Sequence, residues 1–214
     1  MEGNSVSIAS KKQPFKSRLA EARKATAYRL SRPLVRLLAK TGITPNALTW
    51  FGLLLSFGAA ALIALGQPFI AGFVVLISGL FDMLDGALAR FIDKSTKFGG
   101  ILDSILDRLG EAAILLGLLI FFVRYLSAPG ILVVGFTLPG ALMVSYLRAR
   151  AEAAGLVGEV GLFTRTERII IISLGLFLSS IDYALITSLG IIAFFSYVTI
   201  IQRLLHIWHQ TKGD

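Results

Sequence analysis

Four aspartates stand where apolar sequence makes carboxylates expensive. Asp82 and Asp85 lie three apart near the end of one hydrophobic stretch, and Asp103 and Asp107 lie four apart near the start of the next. On a helix, residues three or four apart share a face, so each pair presents two carboxylates side by side. An aspartate at the centre of a membrane span costs about 2.5–3.5 kcal/mol on insertion scales, which argues for a use rather than an accident. The two stretches are joined by a short loop, so they pack antiparallel and their carboxylate faces converge. Four converging carboxylates repel unless a cation sits among them, and the natural one is a hard divalent ion held by oxygen ligands. Mg²⁺ is the expected ion and Mn²⁺ the alternative. Four Asp are enough to bridge two such ions, the arrangement that clamps attacking and leaving oxygens in phosphoryl transfer.

The residues around the carboxylates fit an anionic ligand. Gly86, Gly99 and Gly100 let a ligand or another backbone come close. Arg90, one turn beyond Asp85, can meet a phosphate, as can Lys94 and Lys97, whereas Asp93 reads as a solvated loop charge. Two other readings stay open at this stage. The aspartates could cap helices or pair with Arg90 and Arg108, or they could serve a membrane cation transporter or binding protein. Transport sites lie toward the bilayer midplane at broken helices, whereas these carboxylates lie near one face.

The elements that must position these groups are helices in a membrane. Of 214 residues, 55% are hydrophobic and only 16% charged, where soluble domains carry about 25% charged residues. Spanning the hydrocarbon core takes about 20 residues per helix. Apolar stretches predict six spans at 46–66, 69–91, 99–126, 129–150, 167–181 and 184–205, the fifth short and least defined. The breaks Gly66-Gln67-Pro68 and Ala128-Pro129-Gly130 are turn chemistry, Pro45 suits a first helical turn, and Pro139-Gly140 should kink the fourth span. There is no cysteine, and the two histidines are His206 and His209. Disulfides, thiolate nucleophiles and Cys-ligated zinc are thereby excluded, and a His-rich metal site is disfavoured.

The 21 Lys and Arg exceed 13 Asp and Glu to give a net charge of +8, which asks for an anionic partner. Residues 1–45 carry ten of those basic residues and no apolar core for a cleavable signal peptide. Between Phe15 and Leu38 apolar residues recur at mostly three-to-four spacing with Lys and Arg between them, which predicts an amphipathic helix on an anionic membrane surface. Pro33 should kink or divide it. Placing the N-terminus in the cytoplasm puts nearly all Lys and Arg on that side and only Arg124 opposite, so six spans and cytoplasmic termini agree. The expected organisation is a basic segment over 1–45 and one six-helix membrane domain over 46–214. Lipid is the favoured anion, and nucleic acid is not expected.

At this point the residues resemble a known family. Asp82, Asp85, Gly86, Ala89, Arg90, Gly99, Asp103 and Asp107 match the signature DxxDGxxARx8GxxxDxxxD of the CDP-alcohol phosphotransferases at every fixed position, eight residues across 26 positions. A second stretch, Val144 to Ala153 with Ser145, Arg148 and Arg150, then Gly161 and Thr164-Arg165-Thr166-Glu167-Arg168, resembles the matching part of phosphatidylinositol-phosphate synthases and their archaeal counterparts. Gln202-Arg203-Leu204 is similar as well. Two departures stand out, since bacterial members often have Lys where this chain has Arg148 and Glu where it has Thr164. Arg and Lys are not equivalent phosphate ligands.

The resemblance implies a homodimeric all-α membrane enzyme that transfers the phosphatidyl group of CDP-diacylglycerol, or of CDP-archaeol, to inositol phosphate and releases CMP. The same chemistry with glycerol 3-phosphate as acceptor is the nearest alternative. It implies that Asp82, Asp85, Asp103 and Asp107 bind metal, with Asp107 as the base. It also implies that Gly86, Arg90, Thr96 and the stretch Thr44-Pro45-Asn46-Ala47 meet the CDP moiety. Ser145, Arg148, Arg150, Arg165, Arg168 and Arg203 are then expected at the acceptor phosphate.

Overall fold

The computed structural model describes residues 33–158, 160–161 and 163–212, and every regular element among them is a helix. After a short helical segment at residues 33–40, six longer helices follow: α1 Pro45–Ala64, α2 Pro68–Phe91, α3 Lys97–Arg124, α4 Ala128–Ala153, α5 Arg165–Phe177 and α6 Ala184–Thr211. The local signals for their ends are those that the backbone requires. Thr44 caps α1 by accepting from the Ala47 N–H at 3.3 Å, and Pro45 occupies the first turn, where no intrahelical N–H is needed. The chain leaves α1 through Gly66 at φ +84°, whose N–H and that of Gln67 close on the carbonyls of Ile63 and Leu62 at 2.9 Å each. Thr96 caps α3 by accepting from the Gly99 N–H at 3.0 Å. At α5 the Thr164 N–H donates to Glu167 at 2.8 Å, half of a capping box.

Short connections make successive helices alternate in direction, so the start of α1, the end of α2, the start of α3, the end of α4, the start of α5 and the end of α6 share one end of the bundle. α1 packs against both α2 and α3, α4 against α3 and α6, and α5 against α2 and α6. The core between them is aliphatic: Ile63, Val75, Ile114, Leu118, Leu176 and Leu189 are almost wholly buried. Outward, Leu54, Phe57, Phe73, Leu132, Phe136 and Phe194 are exposed on every side of the bundle, the pattern of helices solvated by lipid.

The helices differ from the expected spans in informative ways. Four of them (α1, α2, α4 and α6) are long and apolar enough to cross a membrane. α3 is long enough at 28 residues but carries Asp103, Asp107 and Arg108 in its first half and Glu111 at its middle. α5 has 13 residues, about 20 Å of helix against a hydrocarbon core of about 30 Å, because the apolar run after it turns at Leu178–Tyr183 instead of continuing to 181. α6 runs past 205 to Thr211, and its Gln210 side chain bonds both backbone groups of Val157, at 3.0 and 3.1 Å, tying down the loop before α5. α4 remains helical through Pro139. The expected surface helix falls mostly outside the described residues. Its last part, residues 33–40, is helical, and Val35 is buried against Leu48, Leu84, Ala87 and Leu88 at the ends of α1 and α2.

The closest backbone approach lies between α1 and α3. A Cβ at Gly117 would sit 2.6 Å from the Ala60 carbonyl oxygen and 2.8 Å from its Cα. Backbone atoms cannot swing aside, so Gly117→Ala must part the two helices, an overpacking cost of about 1–3 kcal/mol. We expect a lowered thermal unfolding midpoint in detergent for Gly117→Ala. Gly58→Ala, where nothing lies within 4 Å, should leave the midpoint unchanged or slightly raised.

Candidate active site

The helix ends gathered at one pole bring the four aspartates together. Asp82 and Asp85 come from α2, Asp103 and Asp107 from α3, and α1 forms the floor between them. The floor is close-fitting: a Cβ at Gly52 would lie 2.8 Å from Asp82 Oδ1, so only glycine lets that carboxylate rest on α1. Below it, the Ser56 and Ser78 hydroxyls bond each other at 2.7 Å, and Ser78 donates to the Gly52 carbonyl at 2.9 Å, pinning α1 and α2 at this level.

The carboxylates divide into two groups. Asp85 and Asp103 line a cavity of about 200 Å³ together with Pro45, Asn46 and Thr49 of α1, Gly86 and Arg90 of α2, and Thr96 and Gly99 beyond the loop. Arg90 folds back over Gly86, where a Cβ would be 3.5 Å from its guanidinium. Asp82 and Asp107 lie to one side of this cavity and share a single cation. The two terminal nitrogens of Arg165, the first residue of α5, stand 2.5 Å from Asp82 Oδ2 and 2.5 Å from Asp107 Oδ1. These are ion-pair contacts without hydrogen-bond alignment. Asp85 Oδ2 and Asp103 Oδ1 are also buried and have no hydrogen-bond partner among the described residues.

Buried carboxylate oxygens from four aspartates, two without a partner and two held by one guanidinium, are the kind of donor that a hard divalent cation takes. No three acidic or histidine side chains among the described residues draw together closely enough to hold a metal ion, and Arg165 stands between Asp82 and Asp107. Donor chemistry and position both fit a cation; the spacing is that of carboxylates held by a guanidinium. None of the four aspartates caps a helix, and the cation that pairs with Asp82 and Asp107 is Arg165 in place of the expected Arg90 or Arg108; Arg108 donates to the Ser104 carbonyl.

Of the residues expected at the donor, Pro45, Asn46, Gly86, Arg90 and Thr96 line the cavity. Thr44 serves as the α1 cap, and Ala47 is exposed outside the lining. Gly100 and Lys94, both read from the sequence as suited to an anionic ligand, line it as well; Thr49 and Ser95 also line it and had no distinguishing signal, being ordinary helix and loop residues. Of those expected at the acceptor, Arg165 reaches the carboxylates. Ser145, Arg148 and Arg150 lie on the last turns of α4, where Arg148 pairs with Glu152 at 2.8 Å. Arg168 requires a correction. It is 1% exposed, and its guanidinium is held by Glu111 in a bidentate pair, one arm at 2.7 Å, so it faces the interior and not the cavity. Arg203 is also drawn inward, donating to the Val160 carbonyl at 2.7 Å and to that of Val144.

The signature is thus folded into a real site, and comparison with known proteins decides what kind. The CDP-alcohol phosphatidyltransferase family profile matches residues 42–208. The chain belongs to that family. This phosphatidyltransferase is 37% identical over 204 residues to the phosphatidylinositol phosphate synthase of Mycobacterium tuberculosis (strain ATCC 25618 / H37Rv), covering 92% of this chain and 91% of that protein. It is 41% identical over 180 residues to the archaetidylinositol phosphate synthase of Pyrococcus horikoshii, covering 82% of this chain and 90% of that one. The crystal structure of the M. tuberculosis synthase with CDP-DAG bound matches with a TM-score of 0.76 at 35% identity, covering 84% of this chain and 94% of that one. The same enzyme in complex with manganese and citrate matches at 0.75 and 35% identity, covering 82% and 88%. The phosphatidyltransferase is therefore a multi-pass membrane enzyme, and its apolar outer surface is lipid-facing.

Proposed function

We propose that this enzyme transfers the phosphatidyl group of CDP-diacylglycerol, or of its diether analogue CDP-archaeol, to a hydroxyl of inositol phosphate, releasing CMP. The carrying observation is the meeting of two sides at one set of carboxylates. A cavity bordered by Asp85, Asp103, Gly86 and Arg90 suits a nucleotide pyrophosphate, and Arg165 brings cationic charge to Asp82 and Asp107 from the other. The relatives named for inositol phosphate products support this acceptor, and none supports glycerol 3-phosphate or a transporter.

In the reaction an acceptor hydroxyl oxygen attacks the phosphorus that bears the diacylglycerol. A new P–O bond forms as the bond to CMP breaks, and the hydroxyl proton leaves. Asp107 accepts that proton, since it stands beside Arg165, the cation best placed for the acceptor phosphate. Asp82, Asp85 and Asp103, with Asp107 as a shared ligand, would hold one or two divalent cations, Mg²⁺ or Mn²⁺, which neutralise the pyrophosphate and the departing CMP. Arg90, with Thr96, Asn46 and Pro45, holds the CDP part, and the backbone at Gly86 admits it closely. Arg148 and Arg150 add charge at the same pole. Six membrane-crossing helices, a basic surface segment over 1–45, a homodimer, and a site and both termini in the cytoplasm complete this reading. α5 is then the short member, its first turn at the polar end and not at the far face.

CMP release in nanodiscs, with CDP-diacylglycerol, Mg²⁺ and a panel of acceptors, tests it. Turnover should require the divalent cation, cease with EDTA and return with Mg²⁺ or Mn²⁺. Inositol phosphate should exceed unphosphorylated inositol in kcat/KM by about 100-fold or more, because the charge-assisted contacts of Arg165, Arg148 and Arg150 to the phosphate are then unmade. Preference for glycerol 3-phosphate would move the protein to the rival acceptor, and metal-dependent cation flux without CMP would discard the synthase reading.

A further inference from the structure

The sequence drew no attention to Glu111, yet it is 3% exposed and carries a charge in the middle of the bundle. It lies one turn beyond Asp107 on α3, just as Arg168 lies one turn beyond Arg165 on α5. The two helices are therefore joined by successive charged rungs. The outer rung is Arg165 with Asp107 and Asp82. The inner rung is Arg168 with Glu111, in which two guanidinium nitrogens donate to the two carboxylate oxygens and the side chains are 1% and 4% exposed.

A buried ion pair is weak evidence for a stabilising role, since well-packed apolar residues of the same volume often do as well or better. Its geometry is more telling. A bidentate guanidinium–carboxylate pair accepts only one relative placement of its two planes, so it sets register as well as distance. Against α3, register is what α5 lacks otherwise, whereas on α2 and α6 it is already seated by Ile169 against Gly79, Phe177 against Gly72 and Gly175 against Ser188. Its apolar face packs through Ile169, Ile172 and Leu176 on α2 and α6, while no close backbone packing joins it to α3. Arg165 is the first residue of α5, in the turn that frays most readily, and it follows a loop.

We infer that Glu111 is a positioning residue for acceptor handling: by fixing Arg168 it locks the register of α5 against α3, and so holds Arg165 between Asp82 and Asp107. Glu111 touches neither substrate. Its effect reaches the reaction only through Arg165, which rests on the acceptor role proposed above.

Glu111→Asp tests this, because it keeps the charge and withdraws the carboxylate by one methylene. In CMP-release kinetics it should raise the KM for inositol phosphate about tenfold, with the KM for CDP-diacylglycerol within about twofold of wild type. In an Arg165→Ala background the same substitution should add less than about twofold, since the residue through which it acts is gone. The paired replacement Glu111→Leu/Arg168→Met should recover the wild-type thermal midpoint while the acceptor KM stays high. Equal rises in both KM values, an undiminished effect without Arg165, or an unchanged acceptor KM would each overturn the assignment. Hydrogen exchange reads the register without substrate: in Glu111→Asp, backbone N–H groups at 165–168 should exchange faster while those at 170–176 do not, and unchanged exchange at 165–168 would equally refute it. A wild-type protein with no inositol phosphate-dependent turnover would instead defeat the functional reading, and the exchange measurement would still decide this one.

Discussion

Asp107→Asn is expected to lower kcat for CMP release by roughly 10²–10⁴-fold, the contribution of a well-placed general base. Asparagine keeps the shape of the side chain and one oxygen acceptor but cannot take a proton. The choice of Asp107 over the other three rests on position. Asp85 and Asp103 border the cavity shared with Gly86, Arg90 and Asn46, on the side that suits the nucleotide. Asp82 and Asp107 both lie 2.5 Å from Arg165, the cation expected at the acceptor; Asp82 rests its other oxygen, Oδ1, against Gly52 of α1, which leaves Asp107 as the choice. The measurement is kcat and the two KM values at saturating Mg²⁺, with donor binding followed separately. Loss of kcat with donor affinity retained is the expected result. Near-normal turnover would remove Asp107 from the base role, and loss of donor affinity in step with kcat would make it a cation ligand only.

What could be read from the chain alone follows a physical divide. The carboxylates were legible because an aspartate in apolar sequence is costly, and pairs at three and four residues can only share a helix face. Helix starts were legible where the backbone needs a partner or a missing N–H, as at Thr44-Pro45 and Gln67-Pro68, whereas Thr96 read as a loop residue and proves to be the cap of α3. The end of α5 was not, because Leu178 and Ile181 carry apolar residues past Phe177 across two serines that a helix also tolerates, while the chain turns there, reaching φ +63° at Tyr183. Composition cannot separate an apolar helix from an apolar turn at the far face of a bundle.

The arginines show the same divide more sharply. At a helix end beside a membrane, every Arg satisfies the positive-inside bias, and spacing does not say which ones point inward. Arg165 and Arg168 differ by three residues, yet one meets the carboxylates and the other is buried with Glu111. Glu111 was passed over since Arg108, three residues before it, offers an ordinary local partner and so gives no reason to look for a distant one. Its partner is 57 positions away and becomes visible only when α3 and α5 are placed in space. Gly52 was silent for a related reason: a glycine among apolar residues signals close packing in general, and only the structure shows that the close neighbour is Asp82.

Arg165→Ala is expected to raise the KM for inositol phosphate by about 10–100-fold, with a much smaller change for CDP-diacylglycerol. The scale is that of a charge-assisted, hydrogen-bonded phosphate contact, about 1.5–3 kcal/mol. Two effects of opposite kind must be separated, because Arg165 also balances Asp82 and Asp107. Removing it leaves those carboxylates less neutralised, so divalent cation should bind at lower concentration in the variant than in wild type, readable by calorimetry with Mn²⁺ and no substrate. Working at saturating cation then leaves the acceptor effect alone in the kinetics. Arg165→Lys should recover little, since a point charge cannot reach two carboxylates and a phosphate as a planar fork does. Equal rises in both KM values, with tighter cation binding, would make Arg165 a counter-charge for the four aspartates and shift acceptor recognition toward Arg148 and Arg150 at the end of α4.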